Sequence, residues 1–405
     1  MKIQLIWLKL GMSALLLAPA VSIAGILSPG LYRNAAGYPV YVGIENSQPD
    51  PPVNQYFEPR TQRTGELPGA AHLIFQRGIE EQRQVIDTPA GRLGVSLYHV
   101  GSGRHAALIL IHGNDPESRE MGFIIPYFVL NGISVISFDQ RGIADSAGNW
   151  QQNGPEQRAV DVNALVDAFA ANPLVDPKKL GLWAFSNGGW TAPIVATKRT
   201  IAFMILKSAA AESIESNLFY TVEQRMRRKH FDSAAISSAI ETWRSLIGAL
   251  AGKNSWDAAR EMHAAARAKP WFKISLIPLL FPSDSPLPPP AQVAEGMRRF
   301  ALYDPSATLS KVRTPTLALF GALDRNVDAA DSARRFKIAF ANAGMTDFTV
   351  RTFQHAGHTF TVSKTGFNDE PGDPERLPAG YPDIMLQWLR SRGLLEPGQV
   401  ANAPR

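Results

Sequence analysis

The chain has 405 residues, room for one large domain with an insertion or for two ordinary ones, and its 45% apolar and 19% charged content marks it as globular rather than disordered. Its formal charge of +5 falls by two when Lys2 and Lys9 of the N-terminal leader are set aside, leaving too little scattered charge for a nucleic-acid-binding stripe. With no cysteine in the sequence, thiolate nucleophiles, zinc–cysteine sites, disulfides and a lipid-modified N-terminal cysteine are all excluded.

The chain opens on a targeting pattern. Lys2 and Lys9 form a basic start, Leu10–Ala20 is apolar, and Ser22-Ile23-Ala24 presents small residues where a signal peptidase reads. Ala18-Pro19-Ala20 offers a second site. The competing reading is an uncleaved anchor, since no charge falls between Lys9 and Arg33; Gly11, Pro19, Gly25 and the serines make that stretch a poor spanning helix. Residues 1–24 are therefore expected to be a cleaved signal peptide, the protein exported to the periplasm or medium, and the mature chain free of stable membrane insertion.

Residues 25–83 are rich in Pro, Gly, Asn and Gln and read as an extended arm or small β element of unassigned role. From about Gln84 the pattern changes. Arg83–Asp87 and Arg92–Val100 alternate apolar and polar residues around Thr88-Pro89-Ala90-Gly91, which predicts a hairpin. Continuous apolar runs follow at Ala106–Ile111, Ile133–Phe138, Leu180–Phe185, Ala202–Leu206, Pro315–Phe320 and Phe348–Phe353. Runs without alternation fit strands buried on both faces, as in a parallel sheet. Helical patterns lie between them. One begins near Pro155, carries Val160, Leu165, Val166 and Phe169, and ends before Asn172-Pro173; another spans Asp328–Ala343 and stops at Gly344. Strands alternating with helices predict a doubly wound, mostly parallel α/β sheet.

One stretch breaks the rhythm. Residues 212–305 contain no convincing strand, far more chain than an ordinary connection uses. Ile214, Leu218, Val222 and Met226 make a helical stripe, as do Ile236, Ile240, Trp243, Ile247 and Leu250 ahead of Gly252. Ser255 is placed to cap a third helix ending before Pro270, and a fourth is expected near Gln292–Leu302 after the Pro-rich Phe281–Pro290 link. Most of these stripe residues are expected to pack helix on helix.

Three strand ends carry chemistry. Ala184-Phe185-Ser186-Asn187-Gly188-Gly189 places a serine between small residues at a strand-to-helix junction, as a nucleophile elbow requires; the alternative is an ordinary turn with a capping Ser. His112-Gly113-Asn114-Asp115 follows the first apolar run, where the Asn114 N–H can join the Asn187 N–H as an oxyanion hole, His112 serving the loop's geometry. Asp324 follows the fifth run and His358 the sixth, so Ser186, Asp324 and His358 occur in the order nucleophile, acid, base that accompanies such an elbow. His355 is the rival base and Asp328 or Asp331 the rival acid. His355 and His358 could also ligate a metal, but no third ligand clusters with them and His-Glu-x-x-His is absent, so neither metal nor cofactor is expected.

Phe138-Asp139-Gln140-Arg141-Gly142 with Ser146 and Gly148 resembles the Asp-x-Arg-Gly-x-x-x-Ser-x-Gly signature of α/β hydrolases, as do His112-Gly113, the elbow, Gly321-x-x-Asp324 and Gly357-His358. The resemblance covers about 84–394 and is strongest to exported bacterial members that are prolyl-oligopeptidase-like or acyltransferase/thioesterase-like, whose Ser-x-Gly-Gly-Trp elbow matches Ser186–Trp190. Ala184 and Ala144 depart from the pattern. The resemblance implies an α/β-hydrolase core over 84–211 and 306–396 and a helical cap over 212–305 above the site. Asp139 and Arg141 are expected to form a buried pair. The function expected is cleavage of a carboxylic ester through an acyl-enzyme on Ser186. The alternatives are aminopeptidase-like activity with Glu212 or Glu215 holding the substrate amine, thioesterase or acyltransferase activity, and a non-catalytic binding protein. The partner is a small-molecule ester or short peptide, not nucleic acid. The cap aromatics Phe219, Tyr220, Phe231, Trp243 and Trp271 would suit an apolar acyl group.

Overall fold

The computed structural model describes residues 26–47, 51–68, 72–150, 153–367 and 376–395, so the expected leader lies outside the described residues. The N-terminal region forms five short strands, β1 (Gly30–Arg33), β2 (Pro39–Ser47), β3 (Val53–Glu58), β4 (Arg63–Glu66) and β5 (Ile74–Gly78), in the antiparallel order β4-β3-β2-β1-β5. Period-two alternation gives this sheet two faces. Leu31, Tyr41 and Phe57 point inward, Tyr41 and Phe57 packing on Phe123 and Tyr127, while Tyr32, Val40, Val42 and Tyr56 form a small core of their own.

The main sheet is built from β6 (Glu80–Thr88), β7 (Gly91–His99), β8 (His105–Ile111), β10 (Ile133–Phe138), β11 (Val175–Phe185), β12 (Met204–Lys207), β13 (Thr316–Gly321) and β14 (Phe348–Phe353). Between β8 and β10 lies the short β9 (Glu117–Met121), which leaves this sheet and pairs with β2, joining the N-terminal sheet to the segment after β8. The spatial order is β14-β13-β12-β11-β8-β10-β7-β6. From β10 to β14 neighbours are parallel, and at the other edge β7 runs antiparallel to both β10 and β6. The chain moves outward in both directions from β8, so the crevice beyond the carboxyl ends of β8 and β11 is where such a sheet presents a site.

Helices cover both faces. On one, α2 (Pro155–Ala170), α3 (Gly188–Ala196) and α10 (Ala329–Asn342) bury Leu165, Phe169, Trp190, Phe336 and Phe340 against Ile109, Leu182 and Phe320. On the other, α1 (Ile124–Leu130) and α11 (Asp383–Arg390) pack Phe128, Met385 and Trp388 against Leu108, Trp183 and Leu317. Helix α1 is buried at every position, so no polar face marks it in the sequence.

Between β12 and β13 the chain leaves the sheet for α4 (Ile214–Arg228), α5 (Ser233–Leu250), α6 (Trp256–Arg267), the one-turn α7 (Ile277–Leu280) and α8 (Ala291–Ala301), then returns through the short α9 (Ser306–Leu309). Ser213, Asp232 and Ser255 cap α4, α5 and α6 through their side-chain oxygens. These helices share their own core of Val222, Met226, Trp243, Leu246, Trp271 and Phe281. Among the described residues, no helix is long and apolar enough to cross a membrane.

Candidate active site

Ser186 sits in the sharp turn between β11 and α3 with φ of +50°, a left-handed conformation that lifts its side chain clear of the sheet. The turn leaves no room beside it. A Cβ at Gly188 would lie 2.6 Å from Ile111 O and 2.8 Å from His112 O, and one at Gly189 would lie 2.2 Å from the Ala209 Cβ. Ala184 is fully buried, its methyl part of the core between the sheet and the helices on this face. The Ser186 N–H donates to Lys207 O at 3.0 Å, which ties the elbow to the end of β12.

His358 lies against this turn. Its Nε2 is 3.0 Å from Ser186 Oγ, and its Nδ1 is 2.8 Å from Asp324 Oδ2. The other Asp324 oxygen accepts the N–H groups of Asn326 and Val327, both at 2.8 Å, so the carboxylate is fixed in rotation as well as position. Asp324 and His358 are both buried, whereas Ser186 is half-buried and open to a cavity. Three residues far apart in the chain thus form one continuous relay. The rivals are elsewhere engaged. His355 is exposed, Asp328 caps α10 by accepting the Asp331 N–H, and Asp331 pairs with Arg334 and Arg335.

Asn114 and Asn187 line the same cavity as Ser186 and His358, and neither backbone N–H is used by another described residue. The loop packs tightly on the elbow: a Cβ at Gly113 would lie 3.6 Å from the Ser186 Cβ. His112 is buried beneath the loop, its Nε2 donating to Phe138 O at 2.5 Å and its Nδ1 facing Glu117 at 3.1 Å. It is a structural residue of the loop.

Asp139 and Arg141 are both buried but do not pair with each other. Arg141 grips Asp161 in a two-pronged contact, with Nε to Oδ2 at 2.8 Å, and also donates to Thr88 Oγ1 and Ala90 O. The Asp139 carboxylate instead accepts from Arg119, from the guanidinium at 3.2 Å and from the Arg119 backbone N–H at 2.8 Å. The two side chains leave the chain in different directions, so each meets a partner brought by another element, α2 or β9.

The cavity has a volume of about 400 Å³. Leu218, Trp243, Ile247, Leu276, Phe281 and Met297 form much of its apolar wall above Ser186. Of the five cap aromatics expected to matter, only Trp243 reaches the cavity; Tyr220 instead donates from its hydroxyl to Asp324 O at 2.8 Å. Helix α4 also braces the acid loop through Asn217 and Thr221, which donate to Asn326 O at 2.8 and 2.9 Å. Asp115, Glu215 and Arg225 supply charge to the lining. Glu212 does not line it: its carboxylate is buried against Ser332 Oγ at 2.6 Å and Asn217 Nδ2 at 3.2 Å, and burial pushes its pKa up despite those donors.

Behind the relay, Lys207 places its Nζ 4.5 Å from the Phe185 ring centroid, with the Phe360, Trp183 and Tyr381 rings within 5.9 Å. Desolvation pulls its ammonium down to about 8, opposed by Glu117, Glu45 and Asp324. The next residue, Ser208, donates its hydroxyl to His358 O at 2.7 Å and so anchors the base's backbone. Ser208, Tyr220 and the α7–α8 cavity residues carry no sequence motif; only the fold brings them to the site.

A solved structure of DcsB in complex with its substrate analogue matches 77% of this chain and 99% of its own at a TM-score of 0.50 and 18% identity. The chain has the α/β-hydrolase fold. The family described as serine aminopeptidase, S33, matches residues 102–261, less than half of the chain; the match takes in Ser186 but stops before Asp324 and His358. The thiohydrolase AneE of Aspergillus aculeatus is 33% identical over 99 residues, 23% of this chain and 30% of the relative. The polyketide transferase GrgF of a Penicillium species is 34% identical over 90 residues, 22% of this chain and 31% of the relative. The matched segments thus span about a third of those curated relatives.

Proposed function

We propose that the protein is a serine hydrolase that cleaves carboxylic esters with an apolar acyl group through an acyl-enzyme on Ser186. The observation that carries this reading is the Ser186–His358–Asp324 relay, at 3.0 and 2.8 Å, opening onto an apolar cavity. His358 Nε2 accepts the hydroxyl proton as Ser186 Oγ attacks the ester carbonyl, and Asp324 holds the opposite N–H and stabilises the imidazolium. The amides of Asn114 and Asn187 receive the developing oxyanion. The leaving alkoxide takes the proton back from His358. Water, activated by the same imidazole, then attacks the acyl carbon and releases the acid and free Ser186. Thioester cleavage or acyl transfer to an alcohol would use the same steps with a different leaving group or acceptor.

Aminopeptidase-like activity is the second reading, favoured by Glu215, an acidic residue of the cavity lining. Glu212 is committed to Ser332 and Asn217 and takes no part in it. The deciding experiment compares kcat/KM for p-nitrophenyl esters of graded chain length with that for aminoacyl p-nitroanilides, in wild type, Ser186→Ala and Glu215→Gln. The ester reading expects longer acyl esters to be preferred, the Ser186→Ala protein to lose both turnover and fluorophosphonate labelling, and Glu215→Gln to change ester turnover little. A better anilide substrate, with that activity lost selectively in Glu215→Gln, makes the protein an aminopeptidase. Export to the periplasm or medium, with a mature chain starting near Gly25, is likewise proposed from the Lys-flanked apolar leader; recovery of the protein with Met1 intact would overturn it.

A further inference from the structure

The carbonyl before the first oxyanion amide is held from behind. Gly113 O accepts Arg158 Nη1 at 2.7 Å and Gln140 Nε2 at 3.2 Å. Arg158 Nη1 also reaches His112 O at 3.5 Å, and its Nε donates to Asn153 O at 3.2 Å. In a trans peptide the C=O of one residue and the N–H of the next point in opposite directions. Fixing Gly113 O on one side of the loop therefore fixes the Asn114 N–H on the other. Arg158 and Gln140 border a small separate cavity with Trp150 and Asp161, and neither lines the cavity that Asn114, Ser186 and His358 share.

The electrostatics act in the same sense. Among the described residues no carboxylate lies within ion-pairing distance of Arg158. Its hydrogen bonds go to backbone carbonyls instead. Desolvation lowers its pKa to about 10, opposed by Glu117 and Asp161, so the guanidinium stays protonated at neutral pH. A cation on a peptide oxygen draws electron density from the amide and makes the following N–H a stronger donor. Gln140 lies inside the Asp139-x-Arg141-Gly142 segment and presents its NH2 to Gly113 O, while its buried Oε1 has no hydrogen-bond partner among the described residues.

We infer that Arg158, assisted by Gln140, is the positioning residue of the oxyanion hole: it aims the Asn114 N–H at the catalytic cavity and strengthens it as a donor. This rests on the proposed acyl chemistry at Ser186. Neither side chain touches the substrate, so the effect must reach the reaction through the Gly113–Asn114 peptide alone.

The test uses the full-length protein as wild type, Arg158→Lys, Arg158→Met, Gln140→Leu and Ser186→Ala. Each is assayed for kcat and KM on an acyl p-nitrophenyl ester, for inhibition by the trifluoromethyl ketone of the same chain length, for active-site titration by a fluorophosphonate, and for Tm. Removing an oxyanion donor costs about 10²–10³ in kcat, and misaiming one is expected to cost about 10–10². Arg158→Met should lose that factor in kcat with KM nearly unchanged, and Ki for the ketone, which forms a tetrahedral oxyanion, should rise in parallel. Arg158→Lys should recover part of the loss, Gln140→Leu should show a smaller one, and the pH profile of kcat/KM should keep its shape. If Arg158→Met does not fold, the Lys and Gln140→Leu variants carry the same comparison. The inference is overturned if folded variants keep wild-type kcat and Ki, if KM rises at constant kcat, or if the loss only follows Tm and the titrated fraction of sites. Failure of the acyl-enzyme reading would look different: the wild type would not be labelled, or Ser186→Ala would remain active.

Discussion

Replacing Asp324 by Asn tests whether the relay works through the tautomer of His358. Asp324 Oδ1 is held by two backbone N–H groups at 2.8 Å, and Oδ2 faces His358 Nδ1 at the same distance. An asparagine has one carbonyl oxygen to share between these partners. Turning its NH2 toward Asn326 and Val327 would strand two N–H donors, at about 1–3 kcal/mol each. The favoured orientation therefore keeps the oxygen on the backbone amides and points the NH2 at His358. The imidazole must then accept at Nδ1 and carry its proton on Nε2, the atom that should take the proton of Ser186. The expected loss is about 10⁴ in kcat, or about 5 kcal/mol of barrier, with little change in fold because the side chains are nearly isosteric. Asp328→Asn is the control, since Asn caps a helix as well as Asp does. Stopped-flow or steady-state ester hydrolysis, with Tm measured alongside, reads the outcome. Asp324→Asn within tenfold of wild type, or Asp328→Asn equally impaired, would refute the assignment of the acid.

Three further perturbations bear on packing, charge and the cavity. Gly189→Ala puts a methyl 2.2 Å from the Ala209 Cβ and 2.9 Å from its Cα, so α3 must shift under the elbow. Thermal unfolding should show a loss of about 1–3 kcal/mol and ester assays a clear fall in kcat, and a variant of wild-type stability and rate would contradict the tight docking described. Glu212 has a folded-state pKa raised above its ordinary 4.5, so between those values the folded state binds more protons and stability falls as pH rises. Glu212→Gln removes that slope, and its Tm relative to wild type should therefore improve as pH rises from 4.5 through that window; a flat or opposite trend would count against the burial argument. Ile247→Phe narrows the cavity wall and should move the preferred ester to a shorter acyl chain. Each excluded methylene forfeits about 0.8 kcal/mol, roughly fourfold in kcat/KM, so an unchanged chain-length profile in the folded variant would place the acyl chain elsewhere.

The strands of the main sheet were legible because central parallel strands are buried on both faces, and burial writes itself into the sequence as runs such as Ala106–Ile111 and Pro315–Phe320. The cap helices were legible through period and caps, down to Ser255 at the start of α6. Local chemistry also marked Ser186, since an elbow tolerates only small neighbours, and the order of Asp324 and His358 along the chain followed from their places at strand ends. Other features have no local signal. Strand β9, Glu117–Met121, is a polar stretch that becomes a strand because β2 supplies its hydrogen bonds. Asp139 and Arg141 stand two apart in the sequence, yet each pairs with a residue that only folding brings near. That Glu215 lines the cavity while Glu212 does not depends on where Ser332 of α10 meets the start of α4. Arg158 reads as an ordinary helix arginine until α2 lies beneath the loop after β8. Sequence determines what the backbone can form locally. Tertiary structure decides which polar groups must answer one another, because a buried donor or acceptor takes its partner from whatever element packs against it, at any distance along the chain.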